Sequence, residues 1–110
     1  MVSQGDIIKI DFDPQVGFEQ AGYRPAVVIS NDYAISRHRN VVYVCPISNT
    51  TKPYPTHIPL DNRTKTTGVI LCEHGKAFDL NTRTFVFVEK CPSDILNKVI
   101  NRVKALIDIP

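Results

Sequence analysis

Near the start of the chain Ile8, Ile10 and Phe12 alternate with Ile7, Lys9 and Asp11. A period of two sends the two sets to opposite faces of a strand. Residues 24–30 (RPAVVIS) form a short apolar run and predict a buried strand, and the β-branched run 41–48 (VVYVCPIS) predicts a third. Residues 56–60 (THIPL) predict an edge strand, because Pro59 withdraws a ladder donor. Residues 68–74 (GVILCEH) and 85–90 (FVFVEK) predict two more strands. Between them, 13–23 (DPQVGFEQAGY) and 49–55 (NTTKPYP) predict long loops of the kind that often bind something. Residues 31–40 (NDYAISRHRN) open with helix-capping chemistry and predict a loop with a short helical turn. Residues 61–67 predict a turn, and 75–84 are left as a connection without a strand of their own.

The last stretch changes period. Leu96, Val99, Ile100, Val103, Leu106 and Ile107 follow helical spacing within 92–107. Pro92 suits a first helical position, Asp94 the start, and Arg102 and Lys104 the end. Several short strands and one terminal amphipathic helix predict a mainly β protein, a small curled antiparallel sheet with the helix packed on it.

Composition narrows the class. The 110 residues, 43% hydrophobic and 22% charged, suit one folded domain spanning 1–110, with no repeat and no linker. No apolar run approaches the roughly 18 residues of a membrane span, and the opening segment has no basic signal-peptide region. Three cysteines in no paired spacing argue against a disulfide scaffold and for a reducing, cytoplasmic home. Isolated on apolar strands, they read as core residues. Cys72 and His74 lack a second ligand pair at usable spacing, so no metal site is expected. The net charge of +2 is small, so any nucleic-acid role must rest on a local patch. His38, between Arg37 and Arg39, reads as a solvated basic loop.

Motifs carry the reading further. Gly5-Asp6 is followed by Asp13-Pro14, Gly17, Glu19-Gln20, Gly22, and Arg24-Pro25 running into a strand. With 44–55 (VCPISNTTKPYP) and 68–80 (GVILCEHGKAFDL), these form three ordered blocks. The set resembles the MazF/PemK family of toxin ribonucleases from type II toxin–antitoxin pairs. That resemblance implies an SH3-like barrel with a C-terminal helix, usually a homodimer, inhibited by a cognate antitoxin laid across the RNA site. It implies an endoribonuclease that cuts single-stranded RNA without metal or cofactor. The substrate's own 2′-OH attacks, leaving a 2′,3′-cyclic phosphate and a 5′-OH. A small barrel with an open strand edge also has physical reason to cover it, as dimerisation does.

That chemistry needs a proton acceptor for the 2′-OH, a donor for the departing 5′-oxygen, and donors for the phosphorane oxygens. Arg24, which the family pattern makes catalytic, suits the last role, since its guanidinium forks onto phosphate and stays charged. Ser48 stands where the family places a threonine; it keeps the hydroxyl but not the β-branch that stiffens the rotamer. Thr50 and Thr51 stand nearby and could substitute. Glu73-His74 departs from an acidic residue followed by Gln. In a continuing strand the two side chains face opposite ways; if the strand ends there, both can line a cleft. His74 or Glu19 is the candidate acceptor of the 2′-OH proton, His74 because histidine titrates near neutral pH. The alternative for His74 is a hydrogen bond to a base or a loop carbonyl.

Phe18, Gln20, Asn49, Lys52, Tyr54, Pro55, Glu73 and Lys76 are candidate RNA contacts. Polar groups among them can read unstacked base edges, Tyr54 or Phe18 can stack on a base, and the lysines attract phosphate. Phe12 and Phe85 read as core. Two other readings stay open: a non-catalytic toxin of the same barrel that poisons a protein such as gyrase, and an RNA-binding barrel that has lost catalysis. The absence of Trp and the ending LIDIP argue against the first; Ser48 and His74 keep the second alive.

Overall fold

A computed structural model describes residues 1–12, 23–50 and 52–109. In chain order the elements are β1 (Asp6–Asp11), β2 (Tyr23–Val28), α1 (Asp32–Arg37), β3 (Val41–Ser48), β4 (His57–Pro59), β5 (Val69–Leu71), a 3₁₀ turn (Cys72–His74), β6 (Lys76–Asp79), β7 (Phe85–Lys90) and α2 (Ser93–Ile107). Among the described residues the strands form one seven-stranded sheet in the order β4-β5-β3-β2-β1-β7, with β6 also paired to β3. All pairings are antiparallel.

The period of two divides the buried residues between two cores. Ile8, Ile10, Ala26, Val28, Val42 and Val44 pack in one with Phe12 and Phe78. Ile7, Val27, Cys45 and Ile47, their odd-numbered neighbours, pack in the other with Ile58, Ile70, Ile95 and Val99. Both faces of the central strands are therefore covered, which is why those stretches read as continuous apolar runs. Ile95 and Val99 belong to α2, so the helix lies over the second core. Phe12 and Phe78 meet edge to face at 5.0 Å in the first, a favoured aromatic geometry. Phe12 is buried there, and Phe85 packs partly buried against the same cluster.

The differences from the sequence reading have local causes. The predicted helical turn is a six-residue helix, because Asn31 Oδ1 accepts from the Ala34 N–H at 2.8 Å and caps it. Pro92 caps α2 in extended conformation instead of opening it. The strand expected over 68–74 stops at Leu71, where the chain tightens into the 3₁₀ turn. It then resumes as β6, a strand of four residues, too short for periodicity to reveal. β5 and β6 thus follow β3 one after the other, pairing Ser48–Ile47 with 69–70 and 41–44 with 76–79.

Candidate active site

The site begins where β2 and β3 separate. Their ladder pairs Val28 with Val44, Val27 with Cys45, and Ala26 with Pro46, and stops there. Pro25 and Pro46 each lack the N–H that would carry it on. Arg24 and Ser48 each lie two residues beyond the last pair, where the two strands are no longer joined. On its other side Arg24 pairs with Ile10 of β1, so β1 holds the backbone beneath the guanidinium while the residue itself is exposed. Ser48, half-buried, pairs with Val69, which pairs in turn with Pro59. Ile47, Ile70 and Ile58, one residue along, point into the second core. Alternation therefore turns Ser48, Val69 and Pro59 to the face away from α2.

On that face lies an open pocket of about 260 Å³. Thr50, Lys52, Pro53, Tyr54 and His57 line it together with Pro59 and Val69. Asn49 is exposed at its approach and accepts from Thr67 Oγ1 at 3.1 Å. Lys76 pairs with Val44 in β6, along the same strand as Ser48.

A second pocket, of about 490 Å³, opens beside the first and shares Tyr54 and His57 with it. Thr56, Glu73, His74 and Leu106 complete it. Because the 3₁₀ turn replaces the strand, both Glu73 and His74 face this cleft, as the sequence reading required of a strand that ends there. Glu73 is tightly held. Thr56 Oγ1 donates to its Oε1 at 2.7 Å, and His57 Nε2 lies 2.8 Å from its Oε2. His74 Nε2 is 3.8 Å from the same oxygen, beyond hydrogen-bond range. Partial burial works against ionisation of Glu73, but hydrogen bonds from Thr56, the backbone and His57 outweigh it and hold the carboxyl below its ordinary range.

Of the candidates named from sequence, the structure gathers Lys52, Tyr54, Glu73 and His74 around the two pockets, with Ser48 and Asn49 at the strand end beside them. Pro55 is exposed in the turn between Tyr54 and His57 and lines neither pocket. Phe18, Glu19, Gln20 and Thr51 lie outside the described residues. Thr56, His57 and Leu106 were not named from sequence. Thr56 and His57 belong to the predicted edge strand, and only the contact with Glu73, sixteen residues on from His57, reveals them.

The cysteines stand apart from this chemistry. Burial pushes the Cys45 thiol up to about 12, and those of Cys72 and Cys91 up to about 11. They carry negligible thiolate at neutral pH. No group of three or more His, Cys, Asp or Glu side chains suited to a metal ion occurs among the described residues. His38 is exposed at the end of α1.

A small curled antiparallel sheet with one terminal helix is also the build of a known class of bacterial toxin. Residues 3–107 match the family described as the PemK-like, MazF-like toxin of type II toxin–antitoxin systems, and the chain belongs to that family. It is 27% identical to the endoribonuclease PemK of Escherichia coli, covering 96% of this chain and 82% of that protein. It is 35% identical to the endoribonuclease toxin MazF of E. coli K12 over 79 residues, 72% of this chain and 69% of that one. A MazF crystal structure from Deinococcus radiodurans superposes with a TM-score of 0.89 at 28% identity, covering 98% of this chain and 97% of that one. A MazE–MazF complex from the same organism shares the fold, with a TM-score of 0.82 at 23% identity over 99% and 97% of the two chains.

Proposed function

We propose that the chain is the toxin of a type II toxin–antitoxin pair, an endoribonuclease that cuts single-stranded RNA by attack of the substrate's own 2′-OH. The observation that carries this reading is the pair of adjoining pockets around which Lys52, Tyr54, Glu73 and His74 gather, beside the strand end that carries Ser48. Family membership and relatives named as endoribonucleases support it.

The reaction is an in-line transesterification. The 2′-O–H gives its proton to a base, His74 or Glu19, as O2′ bonds to phosphorus. The P–O5′ bond breaks, and the 5′-oxygen takes up a proton from water as the base returns its own to solvent. The products are a 2′,3′-cyclic phosphate and a 5′-OH, and no metal is called for in any step. Arg24 stabilises the phosphorane through two parallel N–H donors. The Ser48 hydroxyl donates to a phosphate oxygen. Lys52 and Lys76 attract the flanking phosphates, and Tyr54 offers a stacking face.

One domain, 1–110, carries the activity. Its partners are RNA, a cognate antitoxin and a second copy of itself, and it works in the cytoplasm. The MazE–MazF complexes from D. radiodurans support the antitoxin. Exposed Val86 and Phe87 on the edge strand β7 support self-association. Among the described residues no helix is long and apolar enough to cross a membrane.

The test is to incubate the protein with unstructured RNA in chelator and map the ends. Cyclic-phosphate and 5′-OH ends, lost in Arg24→Ala, are expected. Binding without cleavage, or ends of the opposite polarity, overturns the reading.

A further inference from the structure

We propose that the pocket bounded by Tyr54, Thr56, His57, Glu73, His74 and Leu106 seats one base of the RNA, that Glu73 reads an exocyclic amino group on that base, and that His57 is the positioning residue that fixes Glu73. The inference rests on the ribonuclease reading of the same cleft.

The argument starts from Glu73. Thr56 Oγ1 donates to one of its oxygens at 2.7 Å, His57 Nε2 lies 2.8 Å from the other, and a backbone N–H also bonds the carboxylate. A carboxylate offers about four lone-pair sites, so at least one remains for a donor from the pocket. The donors that hold it are themselves fixed. The Thr56 carbonyl accepts from the Cys72 N–H at 3.1 Å, and the His57 N–H donates to the Tyr54 carbonyl at 3.0 Å. The Tyr54 and His57 rings stand 5.2 Å apart, forming the wall between the two pockets.

His57 acts here as a donor. Its side chain is 14% exposed, and among the described residues its buried Nδ1 has no hydrogen-bond partner. With Nε2 held against Glu73 at 2.8 Å, its contribution is to aim the carboxylate.

An anionic acceptor aimed into a pocket selects among bases by their donors. Adenine, cytosine and guanine each present an amino group. Uracil presents one N–H between two carbonyl oxygens, and the carboxylate repels those oxygens. Tyr54 supplies a ring face and Leu106 an apolar contact for the seated base. A base in this pocket lies next to the pocket lined by Val69, the strand partner of Ser48, which places its nucleotide beside the cleaved bond.

The test is cleavage of single-stranded RNAs that differ at one flanking nucleotide at a time, by the full chain and by Glu73→Gln, His57→Ala and His57→Gln, with a melting curve for each. The unsubstituted protein is expected to disfavour uracil about tenfold or more at one flanking position. Glu73→Gln brings a donor to uracil and erases that preference. His57→Ala erodes it in the same direction, and His57→Gln restores it, since a glutamine amide nitrogen reaches the place of Nε2. Equal use of uracil at every flanking position by the unsubstituted protein overturns the proposal. So does an unchanged preference in Glu73→Gln, a variant that decides the matter even where His57→Ala melts. If the unsubstituted protein cuts none of the RNAs, the ribonuclease reading itself has failed and the proposal falls with it.

Discussion

Gly68 lies against the backbone of Ser48. Its φ is +117°, and a Cβ there would overlap the Ser48 carbonyl oxygen and stand 3.0 Å from Asn49 Oδ1. Its own carbonyl accepts from the Leu60 N–H at 2.9 Å. A residue without a side chain thus lets the turn after Leu60 close against the end of β3 that carries the candidate hydroxyl. Gly68→Ala is expected to cost about 2 kcal/mol of stability, from the unfavourable φ and the overlap together. It should also slow cleavage at temperatures where the variant stays folded, because relief of the overlap shifts Ser48. Melting curves and cleavage rates check this. A folded, fully active Gly68→Ala would show that the backbone position of Ser48 does not govern the reaction.

The placement of Arg24 predicts an asymmetry between charge and shape. The residue is exposed, and its backbone is secured by the Ile10 pairing. Arg24→Lys keeps the positive charge but loses the planar fork that grips two phosphate oxygens. The expected result is a roughly 100-fold lower kcat, by analogy with removal of one transition-state donor, with the melting temperature unchanged. Single-turnover cleavage measures it. Full activity in Arg24→Lys would leave the residue only an electrostatic attraction for RNA.

The strands and α2 were legible because their apolar periods are strong, as at Ile8, Ile10 and Phe12 or at Val99 and Val103. β6 was not, because four residues with one buried aromatic, Phe78, carry no clear period. The positions of Arg24, Ser48, Glu73 and His74 could be named because they fall in recognisable blocks. His57 and Thr56 could not. Their importance lies in a contact across the sheet, and a sequence does not display which threonine and histidine of an edge strand will meet a carboxylate in a later turn. The end of β5 at Leu71 was likewise visible only as a condition, since a 3₁₀ turn of three residues leaves no periodic trace.

Ile70 joins the site to the core. It is fully buried between its cross-strand neighbours Ile47 and Ile58, and the next rung is Ser48 with Val69 and Pro59. Ile70→Ala removes three carbons from a packed site and leaves a cavity under that rung. A loss of about 3 kcal/mol is expected, with most of the shift in the denaturation midpoint and little in its slope. Urea titration followed by circular dichroism measures it. A loss below about 1 kcal/mol would mean that the sheet collapses around the gap.

Acid should unfold the protein from one direction. Hydrogen bonds from Arg63 take Asp61 down to about 2, and Arg63 also lowers Asp94. At Glu89 burial opposes ionisation, but the N–H groups of Thr66 and Lys65 outweigh it and lower the carboxyl, as the partners of Glu73 do there. Each group binds its proton less readily folded than unfolded. Between the two values the unfolded chain holds more protons, so stability rises with pH. It should be complete above the ordinary carboxylate values of 3.8 and 4.5 and fall as pH drops below them. The Asp61 and Asp94 contributions sit on the surface and should shrink in high salt. Urea midpoints at pH 6, 4 and 3, with and without added salt, provide the measurement. A midpoint that rises on acidification contradicts the assignment.

The proton acceptor is the last question the cleft poses. Glu73 is already engaged by Thr56 and His57, and His74 stands 3.8 Å from it, so His74 is not locked into that network. Its side chain is 33% exposed on the pocket that it lines with Tyr54, His57 and Glu73. An imidazole so placed can take the 2′-OH proton as a general base. His74→Gln keeps a hydrogen-bonding side chain of similar reach but cannot accept a proton there. The expected outcome is a single-turnover rate lower by about 100-fold, the usual scale of one general base, with the melting temperature unchanged. An unchanged rate in His74→Gln would remove histidine from the step and leave Glu19 as the acceptor.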